Sequence, residues 1–350
     1  MATMKDVARE VGLSVTTVSR ALNNYHDVTE ETRKRIQAAA RALDYHPNAV
    51  ARSLQNNCSG AIGLVIPSYF HHASDAFWLD FIGGVAAACE QRGVDLMLSA
   101  VDSSKEPEQS FQRLVRSRRV DGILVCDVRR TDPRIVYLQE HHLPFVAFGR
   151  TTGEQNYSFI DVDGGAGVVQ AMEHLLSLGH QRIAYLDVDP CFSFAHFRLE
   201  GYRAALAQAG LSYHVDLVRE GVSPRSALAT AQEILALATP PTAVFASADF
   251  LALAVVQAAR IAGLRIPTEL SIAVFDDNLA VQQASPPLTA VSQPNRHLGE
   301  QAAALLFDRV TGPDGPFTQR LIVPTLVRRQ STAVAPSMIA PLAAAVIGGK

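Results

Sequence analysis

The sequence predicts two fold classes in one chain: an all-α helix-turn-helix domain, followed by a two-lobed α/β domain built on parallel sheets. Apolar residues recur at helical spacing in three short segments within residues 4–45. From Ala61 onward, short apolar runs alternate with amphipathic helical stretches, which is typical of parallel strands covered by helices on both faces. A polar linker at residues 56–60 separates the two patterns and marks a domain boundary.

Length and composition limit the classes of protein to which this chain can belong. The chain has 350 residues, of which 48% are hydrophobic and 19% charged, so it can bury the cores of two or three domains. No apolar run approaches the ~20 residues of a membrane span, and the N-terminus lacks the apolar stretch of a secretory signal, so we expect a cytoplasmic protein. The four cysteines show neither Cys-x-x-Cys pairing nor neighbouring His clusters, so we expect no disulfide framework, no metal site and no cofactor.

The charge is unevenly distributed along the chain. The net charge of −3 argues by itself against a nucleic-acid partner. Residues 1–60, however, contain eight basic and six acidic side chains, so the N-terminal region carries +2 and the remainder −5. This mild asymmetry permits an N-terminal contact with DNA but does not indicate one.

The N-terminal region is predicted to form three short helices with a tight turn between the first two. Gly12 breaks the first helix, Ser14 can cap the second and Thr29 the third. Glu30 and Glu31 occupy the first turn of the third helix, where negative charge is favourable. The inner faces of the helices are formed by Val7, Ala8, Val11, Val18, Ala21, Leu22, Ile36, Ala40 and Leu43.

The second helix carries the side chains that would read DNA. In a helix-turn-helix, its first turns lie in the major groove. Val15, Thr16 and Arg20 would face base edges, since a guanidinium pairs with guanine and methyl groups contact thymine. The short polar side chains that can reach phosphates are Ser14, Thr17, Ser19 and Asn23. An ordinary three-helix unit with a solvated polar face fits the same periodicity.

The α/β region is predicted to have strands at 62–66, 94–98, 122–125, 144–148, 183–186, 242–245 and 272–275. Helices are predicted at 77–92, 107–118, 164–178, 198–209, 225–238, 249–262 and 296–310. Ligands of such folds bind at the carboxyl ends of the strands, so we expect a binding site there.

Several motifs resemble the LacI/GalR family of bacterial transcription regulators. Within the first domain they are Met4–Asn23, Val28–Arg33 and Leu43–Leu54. Further along the chain they are Leu178–Ile183, Arg198–Tyr202, Gly263–Pro267, Phe275–Asp277 and Pro286–Thr289. The motifs occur in order and at the family's separations, and the resemblance extends to about Thr332.

The resemblance implies a division of the chain into four parts. These are a DNA-binding domain at 1–46, a hinge helix and linker at 47–60, an effector-binding and dimerisation domain at 61–332, and a disordered tail at 333–350. The third part would resemble periplasmic sugar-binding proteins, and its chain would cross between lobes near 158–163, 289–292 and 323–325.

The resemblance also assigns DNA contacts to the hinge. Leu54 would wedge into the minor groove at the operator centre, where an inserted apolar side chain kinks DNA. Ala51 would let two hinge helices pack, and Asn48 belongs to the same set of contacts. Alternatively, Leu54 is a linker residue that packs on the core.

The effector contacts implied by the resemblance are Phe77, Trp78, Arg150, Arg198 and Asp276. Aromatic rings suit the C–H face of a sugar, and the guanidinium and carboxylate suit its hydroxyl groups. Other roles remain open: the two aromatic residues could be core residues, Arg198 a surface residue and Asp276 a helix cap. The sequence departs from the family at Ala248, where an amide that often binds the effector is absent.

The function implied is a homodimeric repressor of carbohydrate-use genes, released from a pseudo-palindromic operator by a small sugar. A purine is the alternative effector, because aromatic rings and arginine also hold a planar base. Two other classes compete: an exported transport protein of similar fold, and an enzyme. The sequence contains no dinucleotide fingerprint and no phosphate-binding loop, and we expect no enzymatic activity.

Overall fold

The computed structural model describes residues 2–22, 25, 27–45, 58–67, 75–101 and 107–336. It divides into two units, residues 1–60 and residues 61–350. Four predicted DNA contacts lie outside the described residues: Asn23, Asn48, Ala51 and Leu54. The tail beyond residue 336 lies outside them as well.

The first unit is the predicted helix-turn-helix. It consists of α1 (Met4–Val11), α2 (Val15–Leu22) and α3 (Glu30–Ala42). Gly12 ends α1 with a φ of 65°, a left-handed conformation that glycine adopts without steric cost. The three helices close around a small core of the predicted apolar residues, of which the most buried are Val7, Ala8, Val18, Ala21, Ile36 and Ala40.

The second unit has two lobes, each built on one six-stranded sheet. The N-terminal lobe contains β1 (Ala61–Pro67), β2 (Asp95–Val101), β3 (Gly122–Val125), β4 (Phe145–Phe148), β5 (Phe159–Val162) and β11 (Gln319–Ile322). The C-terminal lobe contains β6 (Ile183–Leu186), β7 (Val218–Arg219), β8 (Ala243–Ala246), β9 (Ser271–Phe275), β10 (Thr289–Ser292) and β12 (Thr325–Val327). The spatial orders are β11-β5-β4-β3-β1-β2 and β12-β10-β9-β8-β6-β7, with β12 antiparallel to β10 and all other pairs parallel.

Helices cover both sheets. The N-terminal lobe carries α4 (Asp75–Arg92), α5 (Pro107–Arg116), α6 (Pro133–Glu140) and α12 (Asn295–Thr311). The C-terminal lobe carries α7 (Gly164–Ser177), α8 (Ser193–Gln208), a 3₁₀ turn (Val215–Leu217), α9 (Ala227–Leu235), α10 (Asp249–Ile261) and α11 (Leu279–Gln282). The chain crosses between lobes after β5, after β10 and between β11 and β12, close to the three expected places.

Some elements differ from the sequence prediction. Helix α8 begins at Ser193 instead of residue 198, because the Ser193 amide and hydroxyl both donate to the Val128 carbonyl at 2.9 and 2.8 Å. Helix α6 was not predicted, although Asp132 caps it and Pro133 occupies its first position. Strands β5, β7, β10, β11 and β12, which are two to four residues long, were not predicted.

The α/β domain extends beyond the expected boundary at Thr332. Ala335 is 1% exposed, and its amide donates to the Leu178 carbonyl at 2.8 Å. The Ala333 amide donates to the Ser271 hydroxyl at 3.0 Å. Residues 333–336, assigned to the tail from the sequence, are therefore packed against the C-terminal lobe.

A buried histidine anchors this segment. His180 is 1% exposed, and its Nδ1 lies 2.9 Å from the Thr242 hydroxyl. Its Nε2 lies 2.9 Å from the Ser271 hydroxyl and 3.0 Å from the Ala333 carbonyl. Burial lowers the pKa of His180 below its ordinary value of 6.5, with a smaller opposing effect of the Ala333 carbonyl. The folded domain therefore favours the neutral imidazole.

Stability should depend on pH through His180. Because the folded-state pKa is lowered, the unfolded chain binds more protons below pH 6.5, so this contribution is complete above that pH and is lost as the pH falls through the lowered value. We expect urea unfolding to show a smaller loss of stability between pH 7.5 and 5.5 in His180→Gln than in wild type. An equal loss in both proteins would contradict the assignment, whatever the absolute stability of the variant.

Candidate functional site

A cavity of about 580 Å³ lies between the two lobes. Its walls are the loops and helix starts that follow the carboxyl ends of strands from both sheets, including β3, β4, β6 and β9. This is the position at which parallel α/β folds bind ligands. Of the five predicted effector residues, the structure brings Phe77, Trp78, Arg198 and Asp276 to this cavity.

The N-terminal lobe contributes an aromatic wall. Phe77 is half-buried and stacks on Phe148, with ring centroids 5.6 Å apart. Trp78 is 9% exposed and meets Phe77 edge-to-face at 5.4 Å. Both residues belong to the lobe's core and also line the cavity. The alternative considered from the sequence, that they are core residues, therefore does not exclude a place in the cavity wall.

Close packing of two helices fixes this wall. A Cβ at Gly84 of α4 would collide with the Arg296 carbonyl oxygen of α12, and a Cβ at Gly299 of α12 would collide with the Phe81 carbonyl oxygen of α4. The two helices therefore approach backbone to backbone. The start of α4, which carries the aromatic residues, is held against the sheet by this contact.

Arg198 is a buried cation at the C-terminal lobe. It is 7% exposed, so it is not the surface residue considered as an alternative. Its Nη1 donates to the Ser247 carbonyl at 2.6 Å, and its guanidinium lies 3.5 Å from the centre of the Phe275 ring. Its Nε is buried and has no hydrogen-bond partner among the described residues, which leaves one donor of the guanidinium unsatisfied.

Acidic side chains surround Arg198. Asp276 follows β9 with a φ of 79°, accepts a hydrogen bond from Gln293, and has a pKa raised by desolvation in spite of Arg198. Burial raises the pKa of Asp187 to about 6, although the Ser247 hydroxyl donates to it. Desolvation likewise raises the pKa of Asp127 to about 6. Desolvation thus outweighs the favourable contacts of these carboxyl groups.

Arg150 does not line the cavity, contrary to the prediction. Its Nη1 pairs with Asp161 at 2.7 Å, and its guanidinium lies 3.9 Å from the centre of the Phe197 ring. Asp161 lines the cavity instead, and burial raises its pKa to about 6 even though Arg150 lowers it. Arg150 thus orients the Asp161 carboxylate without lining the cavity itself.

Backbone contacts join the lobes beside the cavity. Arg129 and Phe192 form an antiparallel bridge, and the Arg130 amide donates to the Cys191 carbonyl at 3.0 Å. Together with the two hydrogen bonds from Ser193 to Val128, these contacts connect the loop after β3 to the start of α8. They are hydrogen bonds between the two lobes.

Two acidic residues have structural roles. Asp163 caps α7 by accepting the Ala166 amide at 2.9 Å. Asp277 pairs with Arg329 at 2.8 Å and does not cap the next helix, which Asn278 caps instead.

Several cavity residues were not predicted. They are half-buried or buried aromatic and polar side chains on loops, on strand ends and at helix starts: Asp127, Phe148, Asp161, Phe192, Phe194, Phe250 and Gln293. The signal that could have found some of them is a polar or aromatic side chain at or directly after a predicted strand, as for Asp127 and Phe148.

In the first unit, α2 presents the predicted surface. Val15, Thr16 and Arg20 are exposed, with Val15 at 40%. Ser14 caps the helix: its hydroxyl accepts the Thr17 amide at 3.1 Å. The exposed face thus begins at a fixed, capped helix end.

Arg20 has a partner in the protein. Its Nη2 pairs with Asp27 at 2.8 Å, and its guanidinium lies 5.5 Å from the centre of the Tyr25 ring. Both members of the ion pair are about half exposed, and such a pair adds only ~0–1 kcal/mol. Breaking this ion pair therefore costs little free energy.

Arg33 stabilises the end of α2, a role that was not predicted from the sequence. Its guanidinium donates to the carbonyl oxygens of Ala21, Tyr25 and Val28 at 3.0–3.3 Å. Carbonyl groups at the C-terminal end of a helix have no partner within the helix, so a side chain from α3 satisfies them here.

Comparisons with known proteins agree with this structure. Residues 3–48 match the model of bacterial regulatory proteins of the lacI family, and residues 172–332 match the periplasmic binding protein-like domain. The transcriptional regulator CelR of Thermobifida fusca is 33% identical over 94% of this chain and 98% of its own length. This chain belongs to the LacI family. The repressor PurR of Erwinia tasmaniensis is also 33% identical, over 96% of this chain and 98% of its own.

Solved structures of LacI-family proteins share the whole architecture. The complex of CelR with cellobiose covers 95% of this chain and 100% of its own, with 31% identity and a TM-score of 0.72. The lac repressor dimer bound to operator and the anti-inducer ONPF covers 95% and 99%, with 26% identity and a TM-score of 0.80.

Family membership makes this LacI-family protein a DNA-binding transcriptional regulator and removes the enzyme interpretation. Within the described residues, no helix is both long and apolar enough to cross a membrane.

Removing the hydrogen bonds of Arg33 should lower the stability of the first unit. Arg33→Met leaves carbonyl groups at the end of α2 without partners, a loss of about 1–3 kcal/mol. We expect hydrogen exchange in residues 4–42 to accelerate roughly tenfold or more. Lys34→Met is the matched control, since Lys34 is exposed and adjacent. Equal exchange rates in the two variants would contradict the role of Arg33.

Proposed function

We propose that this protein is a cytoplasmic, dimeric repressor whose effector is a small neutral carbohydrate bound between the lobes. Effector binding lowers its affinity for a pseudo-palindromic operator. The observation that carries the proposal is the cavity itself, which combines an aromatic wall with a buried arginine and carboxylates.

These side chains suit the surface of a sugar. The C–H face of a pyranose packs on aromatic rings, and Phe77 and Trp78 offer such a wall. Sugar hydroxyls donate to carboxylates, and Asp276 offers one at the carboxyl end of β9. Arg198 supplies donors for ring or hydroxyl oxygens, including the unsatisfied Nε.

Named relatives support this effector class. CelR has been solved with cellobiose, and the lac repressor with the anti-inducer ONPF, as a dimer on its operator. The cavity of this chain lies between lobes of the same architecture. A purine is the second candidate, because Phe192 and Phe194, whose rings are 5.4 Å apart, add further aromatic surface that could stack on a planar base.

On the DNA side, Val15, Thr16 and Arg20 read base edges, and Ser14, Thr17 and Ser19 contact phosphates. The exposure and capping of α2 support these roles. Asn23, Asn48, Ala51 and Leu54 remain predictions from the sequence.

Lobe closure connects the two activities. A ligand that contacts Arg198 and the aromatic wall stabilises the closed arrangement, which the contacts between residues 128–130 and 191–193 also maintain. A change in closure would alter the spacing of the two DNA-binding units in a dimer, and therefore their fit to two half-sites.

A thermal-shift screen of neutral mono- and disaccharides, with cellobiose and lactose included, tests the effector class. A ligand present at ~100 times its Kd stabilises the folded protein by ~2.7 kcal/mol, a readily measured shift. Purines and nucleosides form the second arm of the screen. Stabilisation by these compounds alone, or by no carbohydrate, would contradict the proposal.

Two variants test the cavity as the binding site. We expect Arg198→Met and Asp276→Asn to reduce the ligand-induced shift by at least half, measured from each variant's own Tm. Arg203→Met is the matched control on the same helix, because Arg203 is exposed and pairs with Glu200. A full shift in Arg198→Met and Asp276→Asn would place the ligand elsewhere.

A further inference from the structure

The N-terminal lobe carries a concentrated basic segment. Residues 109–120 contain four arginines and no acidic residue. The four, which we call the arginine patch, are Arg113, Arg116, Arg118 and Arg119. They occupy the last turns of α5 and the connection that leads into β3.

All four side chains of the arginine patch are exposed. Within the part of the chain that the structure describes, none of them forms an ion pair or a side-chain hydrogen bond. The helix dipole favours positive charge in the last turn and explains Arg113 and Arg116. It does not explain Arg118 and Arg119, which lie beyond the helix end.

The arginine patch lies at a defined edge of the domain. Strand β3 runs parallel to β1, with Gly122 opposite Ile62, so the patch adjoins the amino ends of both strands. The Asp121 amide donates to the Ala61 carbonyl at 2.8 Å, and Ala61 is the first residue of β1. The linker from the DNA-binding unit therefore enters the domain beside the patch, whereas the effector cavity lies at the carboxyl ends of the strands.

The length of the linker limits how far this edge can lie from bound DNA. Residues 46–57 lie between the described residues 27–45 and the described residues 58–60 that lead into β1, and even a fully extended chain of that length spans only about 45 Å. A DNA duplex carries one phosphate charge per ~1.7 Å and continues on both sides of the base pairs that α2 reads. The phosphates of a duplex bound by the first unit are negatively charged and complement the exposed arginines of this edge.

We propose that the arginine patch is a second, sequence-independent DNA contact that binds phosphates flanking the half-sites. It adds affinity and salt dependence without adding base specificity. It follows from family membership and from the position of the patch, and it is independent of the effector proposal.

The test uses the full chain and a fluorescein-labelled duplex of arbitrary sequence. Binding is followed by anisotropy between ~50 and 200 mM KCl, where each phosphate contact contributes roughly 0.9 to the slope of log K against log salt. For the double variant Arg118→Gln/Arg119→Gln, we expect the slope to fall by about 2 to 4 in the dimer. The affinity at the lowest salt should fall roughly tenfold or more.

The matched control is Arg225→Gln/Arg260→Gln, which removes the same charge from two exposed arginines of the C-terminal lobe. We expect its slope to equal that of wild type. An unchanged slope in the Arg118/Arg119 variant would overturn the proposal. The arginine patch would then be a surface for an acidic partner of another kind. An equal fall in both variants would also overturn it, because net charge alone would then explain the effect. No effector is present, so failure here is distinct from failure of the carbohydrate proposal.

Discussion

The architecture of the cleft depends on one buried cation, Arg198. Burying a guanidinium is costly unless acceptors and charges compensate it, so its surroundings are tightly constrained. Helix α8 supplies the side chain, the Ser247 carbonyl accepts it and the Phe275 ring lies beneath it. Gly164 leaves space for it, since a Cβ there would lie 3.0 Å from its Cγ. Asp276 and the other carboxylates named above provide the opposing charge.

Burial leaves several polar groups of the site poorly compensated within the described residues. Asp127, Asp161 and Asp187 have pKa values raised to about 6, which shows that desolvation exceeds the stabilisation their partners provide. Arg198 retains an unsatisfied Nε. A hydroxyl-rich ligand in the cavity can donate to Asp127, Asp161 and Asp276, which line it, and accept from the guanidinium. The polar groups are thus held in place before the ligand arrives, and this preorganisation lowers the cost of binding.

Much of the fold and of the candidate site could be predicted from the sequence, and the exceptions have physical causes. Helical periodicity and caps located the helix-turn-helix because those signals are local. Phe77, Trp78, Arg198 and Asp276 converge as the family resemblance implied. Arg150 does not line the cavity, and its guanidinium instead pairs with Asp161 and lies over the Phe197 ring.

The residues that sequence reasoning missed depend on tertiary contacts. In the sequence, Arg33 is only one residue of a polar helix face. The folded structure brings the end of α2 within hydrogen-bonding distance of its guanidinium. Phe192 lines the cavity because its loop pairs with Arg129 of the other lobe, about sixty residues earlier in the chain. Neither partner is visible in a local pattern.

In the proposed function, the cleft and the DNA-binding surface are energetically coupled, and coupling of binding free energies is reciprocal. The most direct measurement is the calorimetric affinity of the screened effector for the free protein and for the protein saturated with an operator selected from random duplexes. We predict weaker effector binding on the operator, by the same factor, about 5- to 150-fold, by which effector weakens operator binding. Equal effector affinity in the two states would contradict the account.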